Sequence, residues 1–310
     1  MSIVLGIDTS NYTTSAATFN SSTGEYINSR QLLTVKSGEV GLRQSDALFQ
    51  HIKNLPLIIK GAVTSKKIEA IGVSDRPRAL DDSYMPVFLA GVSVAESIAA
   101  SMGVPLYKFS HQAGHIAAAL FSANKMDLIG KDFISFHVSG GTSEAVKVSF
   151  SKDSFFKTEI VAKSLDLKMG QAVDRVGNML GLAFPAGKEL DRLSLEGQLP
   201  KSVKPSIKDA DFSISGLENQ AAQLIKQGAK PQDVALYTIT YICKTLEKTV
   251  LNLKKEYGDI PFVFAGGVMS NTIIRQELTD KFGAFFASKE LSSDNAVGIA
   301  VMTDYLLNNR

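Results

Sequence analysis

The feature that most constrains the fold is a pair of apolar strands that each end in a turn rich in Ser, Thr or Gly. The first strand, Ile3 to Asp8, runs into a polar turn at Thr9 to Thr14. The second strand, Phe133 to Val138, runs into the turn Ser139 to Ser143. In both places another apolar strand returns after the turn. A hairpin that occurs twice, with helices and strands alternating between the copies, indicates a duplicated α/β fold.

Hydrophobic periodicity predicts the remaining elements. The further strands are predicted at Ser15 to Asn20, Glu25 to Leu33, Ile68 to Ser74, Pro105 to Phe109, Glu144 to Phe150, Pro261 to Ala265 and Ala284 to Ala287. The helices are predicted at Ser45 to Ala62, Met85 to Met102, Gly170 to Leu182, Leu217 to Lys226 and Gln232 to Tyr257, after Ser270 and from Asn295. A chain of 310 residues is long enough for two lobes. We expect residues 1–120, with the helix 295–310 packed on them, to form the first lobe, and residues 121–294 to form a second lobe with a helical insertion.

Composition excludes a membrane bundle and a disordered chain. Hydrophobic residues make up 45% and charged residues 21%, as in ordinary globular proteins. The apolar stretch Met85 to Ala100 is shorter than the roughly 20 residues needed to span a bilayer. The first residues enter a strand without the features of a secretory signal, so we expect a cytoplasmic protein. The single cysteine, Cys243, lies in a helical stretch and is predicted to be buried. A net charge of +2 does not decide whether nucleic acid binds.

Two of the four histidines, His111 and His115, lie four residues apart ahead of the helix-forming stretch Ile116 to Leu120. Residues at this spacing share one helix face, so both imidazoles can point at one metal ion. Taken alone, such a pair is more often two polar residues on a helix, and a third ligand is needed for a metal site. Asp294 offers that ligand, although an Asp ahead of the apolar stretch Ala296 to Ala300 is equally suited to cap a helix. Two imidazoles and one carboxylate would suit iron or zinc.

Three glycine-rich turns form a second group of candidates, namely Val138 to Thr142, Pro185 to Gly187 and Ala265 to Asn271. Glycine lets backbone N–H groups approach phosphate oxygens closely, especially where a helix begins. Two of the turns follow apolar strands directly, which makes an ordinary loop role for all three less convincing. Asp174 and Asp191 flank a helical stretch and could bind ribose hydroxyls. Asp191 is better explained as a surface acid, so only Asp174 is favoured.

A succession of motifs along nearly the whole chain resembles the TsaD family of tRNA threonylcarbamoyl transferases, formerly called O-sialoglycoprotein endopeptidase or peptidase M22. The motifs are Leu5 to Ser10, His111 to His115, Val138 to Gly141, Asp211 to Leu217, Ala265 to Asn271 and Asp294-Asn295. Two further segments also resemble family motifs: Gly170 to Asp174 is similar to GEAFD, and Phe184 to Gly187 is similar to YPGG. The motifs occur in the family's order, which makes the resemblance specific.

The resemblance implies an actin-like ATPase fold of the ASKHA, ribonuclease H-like class, with two lobes around a nucleotide cleft. It implies a divalent transition metal, iron or zinc, held by His111, His115 and Asp294. Asp8 and Ser139 are the implied catalytic candidates. The implied site for ATP, AMP or threonylcarbamoyl-AMP consists of Val138, Ser139, Gly140, Gly141, Thr142, Asp174, Gly187 and Asn271.

Four segments depart from the family's pattern, so the chain is identified as a divergent member. The family's acidic N-terminal turn is replaced by Asn11 to Thr14, and its Gly-Pro-Gly loop by Arg76 to Tyr84. The usual His-Thr after the double glycine is Thr142-Ser143, and a lysine after Ser-Gly-Leu is Glu218. The fold and the metal site therefore transfer more safely than the reaction.

The implied enzyme is an acyltransferase that moves a threonylcarbamoyl group from threonylcarbamoyl-AMP to N6 of the adenosine beside the anticodon, in tRNAs that read codons beginning with A. Because this donor is already activated, positioning and charge stabilisation suffice without a covalent nucleophile. By resemblance the partners are tRNA, a TsaB-like paralogous subunit and a TsaE-like ATPase, with no membrane. The basic loop Arg76 to Arg78 could contact a phosphate backbone, although a solvated loop is the simpler explanation.

Three other functions are weighed against this one. A metalloprotease needs a general base beside its ligands, as in HExxH, and position 112 is Gln where that motif has Glu. A divergent paralogue could bind nucleotide and metal as a scaffold, or act on a different substrate. A sugar or acetate kinase of the same superfamily needs acids for Mg²⁺ and a base, and Asp8 is the only clear candidate in the N-terminal turn. The paired histidines argue against the kinase.

Overall fold

The computed structural model describes residues 2–10, 12–35, 42–64, 67–80 and 82–309, so Asn11 and Asp81 of the altered segments lie outside the described residues. The chain divides into two compact units. Unit 1 consists of Met1–Met126, Phe150–Lys157 and Ser293–Arg310, and unit 2 of Asp127–Ser149 and Thr158–Ser292. The lobe boundaries expected from the sequence stay predictions.

Unit 1 is built on a five-stranded sheet. Its strands are β1 (Ile3–Ser10), β2 (Thr13–Asn20), β3 (Tyr26–Leu32), β4 (Ala70–Arg76) and β5 (Leu106–Ser110), in the order β3-β2-β1-β4-β5. The first three strands are antiparallel, whereas β4 lies parallel to β1 and β5 parallel to β4. The prediction of a polar turn at Thr9 to Thr14 is wrong at both ends, because the residues there belong to the strands β1 and β2. The ladder continues through the pairs Thr9↔Thr14 and Ser10↔Thr13, because β-branched threonines pair well across strands.

Different helices cover the two faces of this sheet. Unit 1 contains α1 (Gln44–Ala62), α2 (Phe88–Met102), α3 (His111–Ser122) and the C-terminal helix α9 (Val297–Asn308). Leu5 and Ile7 of β1 pack in a core with α1 and α2. Gly6 points to the other face, where an added Cβ would lie 2.6 Å from Ala296 O and Ala300 N. Successive residues of a strand face opposite sides, so α9 lies against the second face in direct backbone contact with β1.

Unit 2 repeats the same sheet plan. Its strands are β6 (Phe133–Val138), β7 (Ser143–Ser151), β8 (Phe155–Lys163), β11 (Phe262–Ala265) and β12 (Phe285–Phe286), in the order β12-β11-β6-β7-β8. The end of β7 and the start of β8, within Phe150–Lys157, are assigned to unit 1. β6 pairs with β7 in antiparallel fashion and with β11 in parallel fashion, as β1 does with β2 and β4. A central strand with a hairpin on one side and parallel strands on the other therefore occurs twice. The duplicated α/β fold predicted from the two hairpins is confirmed.

The helices of unit 2 surround one large apolar core. They are α4 (Met169–Met179), α5 (Gly187–Ser194), α6 (Ser215–Lys226), α7 (Pro231–Tyr257) and α8 (Thr272–Phe282), with a small ribbon of β9 (Ser206–Lys208) and β10 (Asp211–Ser213). The remaining elements are short 3-10 turns at Met126–Leu128 and Gly267–Ser270. Cys243 on α7 is buried, as predicted. The sequence did not predict β8, α5 or the ribbon. Among the described residues, no helix has both the length and the apolar character needed to cross a membrane.

Candidate functional site

A cluster of two imidazoles and one carboxylate lies in unit 1. Strand β5 leads directly into α3, whose first turn is capped by the Ser110 hydroxyl accepting a hydrogen bond from Ala113 N at 3.2 Å. This start places His111 and His115 one turn apart on the same helix face, with 2.9 Å between their Nε2 atoms. Asp294 Oδ1 lies 3.2 Å from His115 Nε2 and 3.7 Å from His111 Nε2. The three residues proposed from the sequence are therefore brought together.

Asp8 orients the first imidazole of this cluster. It is only 1% exposed at the end of β1, and its Oδ2 accepts a hydrogen bond from His111 Nδ1 at 2.6 Å. Its Oδ1 accepts from the Ser74 hydroxyl at 2.8 Å and from Ser10 N at 3.0 Å. Because an ionised carboxylate only accepts, Nδ1 of His111 carries the hydrogen and Nε2 faces the cluster. Both carboxylate oxygens of Asp8 therefore already have hydrogen-bond donors within the protein.

The same contacts control the charge of His111. Burial of the ring opposes its charged form, but the negative charge of Asp8, the hydrogen bond to it and the charge of Asp294 together raise the pKa of His111 to about 9. His111 Nε2 and His115 Nε2 lie within hydrogen-bond distance at 2.9 Å, so a protonated His111 can donate its Nε2 proton across this gap. A cation that binds at this cluster must displace that proton.

Residues from β2 and β3 hold Asp294 in place. The Thr13 hydroxyl donates to Asp294 Oδ2 at 3.3 Å, and Arg30 donates to the backbone oxygen of Asp294 at 3.4 Å. The sequence also allowed Asp294 a second role, compatible with metal binding, as a helix cap, but the N-cap residue of α9 is Ala296. Helix α9 has no side-chain cap, and the turn before it is closed by Asn295, whose Oδ1 accepts from Val297 N at 2.9 Å. The carboxylate of Asp294 is therefore aimed at the histidines.

The donor set fits a transition metal. Ligand atoms bound tetrahedrally at about 2.0 to 2.1 Å from zinc lie about 3.3 Å apart, and the three separations here bracket that value. One ligand atom from each residue can be chosen so that all lie within 4.8 Å of one another. The carboxylate behind His111 is the arrangement that fixes a ligating histidine in metalloproteins. Nitrogen-rich ligation of this kind suits iron or zinc better than calcium or magnesium.

A cavity of about 530 Å³ lies wholly within unit 2. Part of its wall is the turn between β6 and β7. Ser139 N donates to Thr142 O at 2.7 Å, and Thr142 N donates to the Ser139 hydroxyl at 3.1 Å. These bonds close the turn and leave the N–H groups of Gly140 and Gly141 without a hydrogen-bond partner in the described part of the chain. Free N–H groups at a tight turn can bind an anion.

The beginning of α4 lies directly against this turn. The Ser143 hydroxyl accepts from Met169 N at 2.9 Å, and Gly170 N donates to Ser139 O at 3.2 Å. A Cβ on Gly170 would lie 2.4 Å from Gly140 N, so only glycine allows this approach. Gly266 similarly adopts φ of +103° against the end of β6, where a Cβ would lie 2.3 Å from Val138 O. Gly170 and Gly266 therefore serve close backbone packing beside the cavity, whereas Gly140, Gly141 and Gly267 have open space where a Cβ would lie.

Asp174 lies in the cavity wall, and it also fixes a neighbouring loop. It projects from α4, and its Oδ1 accepts a hydrogen bond from Ala186 N at 2.9 Å. This bond holds the segment that leads into α5, where Gly187 also lines the cavity. Three more predicted binding residues line it, namely Ser139, Gly140 and Asn271. Val138, Gly141 and Thr142 do not belong to the cavity wall, and the Val138 side chain is buried in the core.

The interpretation of Asp191 as a surface acid is wrong. Asp191 is half-buried, lines the cavity and accepts a hydrogen bond from the Asn271 side chain at 2.7 Å. It also accepts from the backbone N–H and the hydroxyl of Thr272, both at 3.1 Å. Asn271 in turn caps α8, because its Oδ1 accepts from Ile274 N at 3.0 Å. The spacing of Asp191 four residues after Gly187 was the available signal, since it places both at the same side of a short helix.

Two altered segments make local ion pairs. Arg76 donates from Nε and Nη2 to the carboxylate of Asp75, at 2.9 and 2.8 Å. Glu218, where the family has a lysine, accepts from Arg175 at 2.8 Å. Both pairs are partly exposed, so each is worth about 0 to 1 kcal/mol and leaves its cation accessible to other anions.

Comparisons of the sequence point to one family. Residues 25–301 match the family described as TsaD, tRNA N6-adenosine threonylcarbamoyltransferase. A tRNA N6-adenosine threonylcarbamoyltransferase of Sulfurihydrogenibium sp. is 30% identical over 96% of this chain and 88% of its own length. The protein of the same name from Christiangramia forsetii is 29% identical over 83% of this chain and 79% of its own.

Solved structures with much lower identity share the fold. T. kodakarensis HypF aligns with a TM-score of 0.62 and 14% identity, over 99% of this chain and 48% of that one. Component A of the Acidaminococcus fermentans (R)-2-hydroxyglutaryl-CoA dehydratase aligns over the whole of both chains, with a TM-score of 0.55 and 14% identity. At such identities the likeness concerns the fold alone, and it confirms the actin-like ATPase fold expected from the sequence.

Proposed function

The chain belongs to the tRNA N6-adenosine threonylcarbamoyltransferase (TsaD) family, and we propose that it transfers a threonylcarbamoyl group from threonylcarbamoyl-AMP to N6 of the adenosine beside the anticodon of tRNAs that decode ANN codons. The observation that carries this proposal is the cluster of His111, His115 and Asp294, formed by segments far apart in the sequence. It occurs in a chain of which residues 25–301 match the family.

The cluster in unit 1 is proposed to hold iron or zinc. Such an ion would supply Lewis-acid polarisation of the carbonyl oxygen of the threonylcarbamoyl group. The chain's own contribution is orientation. Asp8 holds the His111 ring so that Nε2 faces the cluster, and Thr13 and Arg30 hold the segment that carries Asp294. Asp8, a catalytic candidate from the sequence, is therefore a positioning residue in this proposal.

The cavity of unit 2 is proposed to bind the adenylate. In the cavity wall, the unpaired N–H group of Gly140 is suited to a phosphate oxygen, and Asp174 and Asp191 are suited to ribose hydroxyls. The Ser139 hydroxyl already accepts from Thr142 N, which supports a role in shaping the turn. In the reaction the adenosine amine attacks the carbamoyl carbon, the bond from that carbon to the phosphate oxygen breaks, and AMP and one proton leave. Because AMP is a good leaving group, orientation of the two substrates supplies much of the catalysis.

Partner proteins are proposed from an exposed apolar surface on unit 1. Phe49, Ile52 and Leu57 of α1 are 63%, 55% and 67% exposed, and Leu89 at the start of the neighbouring α2 is 49% exposed. Large apolar side chains that are exposed on neighbouring helices are typical of protein interfaces. It supports a TsaB-like paralogous subunit as partner, beside tRNA and a TsaE-like ATPase. A cytoplasmic location stays a prediction.

The test is product formation in a defined mixture. The protein, threonylcarbamoyl-AMP, an ANN-decoding tRNA and the proposed partners should give threonylcarbamoyladenosine, detected by nucleoside mass spectrometry. Asp294→Ala should abolish the product, whereas Asp127→Ala, which removes an exposed carboxylate that pairs with Lys131, should not. If the wild-type protein binds nucleotide and metal but gives no product with every partner present, the scaffold or alternative-substrate function replaces the transferase.

A further inference from the structure

Two lysines belong to the wall of the unit 2 cavity. Lys188 lies in the first turn of α5, and Lys289 lies three residues after β12. Both side chains are exposed. Neither forms a salt bridge or a side-chain hydrogen bond to any residue that the structure describes. We propose that these cavity lysines recognise a phosphate group of the bound nucleotide and so determine a preference for nucleotides over nucleosides.

The charges of the cavity wall support this assignment. The other charged side chains in the wall are Asp174 and Asp191, and each already accepts hydrogen bonds from the protein. These carboxylates are therefore held in place by fixed donors, whereas the lysine ammonium groups have no hydrogen-bond partner among the residues that the structure describes. An uncharged nucleoside offers nothing that complements two cations, whereas a phosphate group does.

The size of the cavity and the length of lysine allow direct contact. A volume of about 530 Å³ is in the range of small-molecule sites, so a bound nucleotide lies near every part of the wall. Lysine carries its charge on a flexible four-carbon stem with three donors, which suits a phosphate whose position is fixed by other groups. The unpaired N–H group of Gly140 in the cavity wall would fix that position, and the cavity lysines would add charge.

The neighbourhood does not cancel these charges. Glu290 follows Lys289 in the chain, and hydrogen bonds to its own backbone and to Ser288, followed by the Lys289 charge, lower the pKa of Glu290. That carboxylate is fully exposed and is not part of the cavity wall. Water therefore screens its attraction for Lys289, and a phosphate inside the cavity competes well with it.

The inference rests on the proposed adenylate site, and calorimetric titration can test the two separately. The probes are adenosine, AMP and inorganic pyrophosphate, each titrated into the wild-type protein and into Lys188→Gln, Lys289→Gln and the double variant. Lys226→Gln is the matched control, because Lys226 is an exposed lysine at the end of α6 in the same unit and outside the cavity wall. A Lys188→Arg, Lys289→Arg variant keeps both charges.

We expect the double Gln variant to bind AMP and pyrophosphate about tenfold more weakly, from exposed charge contacts of this kind, with adenosine unchanged. The loss should shrink at high ionic strength, and the Arg variant should retain most of the binding. The inference is overturned if AMP binds the wild type but the ratio of the AMP affinity to the adenosine affinity is the same in the wild type and the double Gln variant. The proposed adenylate site would still stand in that case. An equal loss of affinity for adenosine also overturns the inference, because the lysine side chains would then act by packing their apolar stems on the nucleoside. If neither AMP nor pyrophosphate binds the wild type, the adenylate site itself fails.

Discussion

Replacing Asp8 with Asn tests how the buried carboxylate controls the metal centre. The substitution keeps the shape of the side chain and removes the charge that lies 2.6 Å from His111 Nδ1. Removing such an outer-shell partner typically weakens metal affinity roughly 10- to 100-fold, because the imidazole becomes a poorer and less well oriented ligand. Burial lowers the pKa of His111, but the same charge helps to raise it to about 9. The competition between a proton and the metal ion for His111 Nε2 is therefore expected to change as well.

These two effects act in opposite directions at neutral pH. In the wild type a metal ion must displace the proton of His111 Nε2, which at pH 7 costs about 3 kcal/mol, or about a hundredfold in affinity. Affinity should therefore rise with pH and level off near pH 9. In Asp8→Asn the pKa of His111 should return towards the ordinary value of 6.5, so its affinity should level off much earlier. Near pH 9, where the proton competes little, the variant should bind zinc 10- to 100-fold more weakly than the wild type. Near pH 7 the two should bind about equally, because the wild type alone loses about a hundredfold in affinity to the proton on His111.

The assay is competition for zinc against a chelator of known affinity between about pH 6 and pH 9.5. Glu69→Gln serves as control, because Glu69 is a carboxylate of unit 1 whose side chain pairs with Lys67 at the surface. Circular dichroism reports whether each variant is folded. Parallel affinity curves for Asp8→Asn and wild type, or a wild-type affinity that does not rise with pH, would refute the reasoning.

Two further predictions concern stability, measured by chemical denaturation. Gly298→Ala should destabilise the protein by about 3 kcal/mol or more, because a Cβ there would lie 1.8 Å from Gly114 O. It should also weaken zinc binding, because this contact lies between α9 and the helix that carries both histidines. A variant as stable as the wild type would contradict this close packing. Burial, opposed by Asp8 and a Ser10 backbone contact, lowers the pKa of His51 to about 4. Between about pH 6.5 and pH 4 the unfolded chain therefore binds a proton on His51 that the folded chain does not. Acidification through this window should lower the free energy of unfolding of the wild type by up to about 3 kcal/mol, a loss that His51→Gln should not show. Identical pH profiles of stability for the two proteins would contradict this prediction.

The sequence predicted the elements that depend on local pattern. The strands β1 and β6 are nearly continuous apolar runs, as expected for central strands covered on both faces. Helix α5 was not predicted, because its eight residues contain only two buried leucines, Leu190 and Leu193, and otherwise mostly polar side chains. A helix of two turns leaves little periodicity in the sequence, so its position in the cavity wall emerges only from the fold.

The three metal-binding candidates were predicted, but the residues that organise them were not. Asp8 meets Ser74 and His111 across 66 and 103 residues of sequence, and nothing in its own neighbourhood indicates which partner it binds. Resemblance gave Asp8 a catalytic role, whereas its burial and its three hydrogen-bond donors favour positioning. The polar turn expected at Thr9 to Thr14 was wrong for a similar reason. Residues that look like loop residues were paired by the continuing hairpin ladder.

In the cavity wall, Asp191 and Asn271 are also in contact although they lie 80 residues apart in the sequence. Both ends of the Asn271 amide are occupied, since Nδ2 donates to Asp191 and Oδ1 accepts from Ile274 N. Asn271 was expected to belong to the nucleotide site, and its side chain already joins the start of α8 to α5. A ligand in the cavity would therefore meet a wall whose polar groups are fixed before binding. Such preorganisation reduces the ordering that binding requires, and it leaves Lys188 and Lys289 as the flexible charged groups that respond to the ligand.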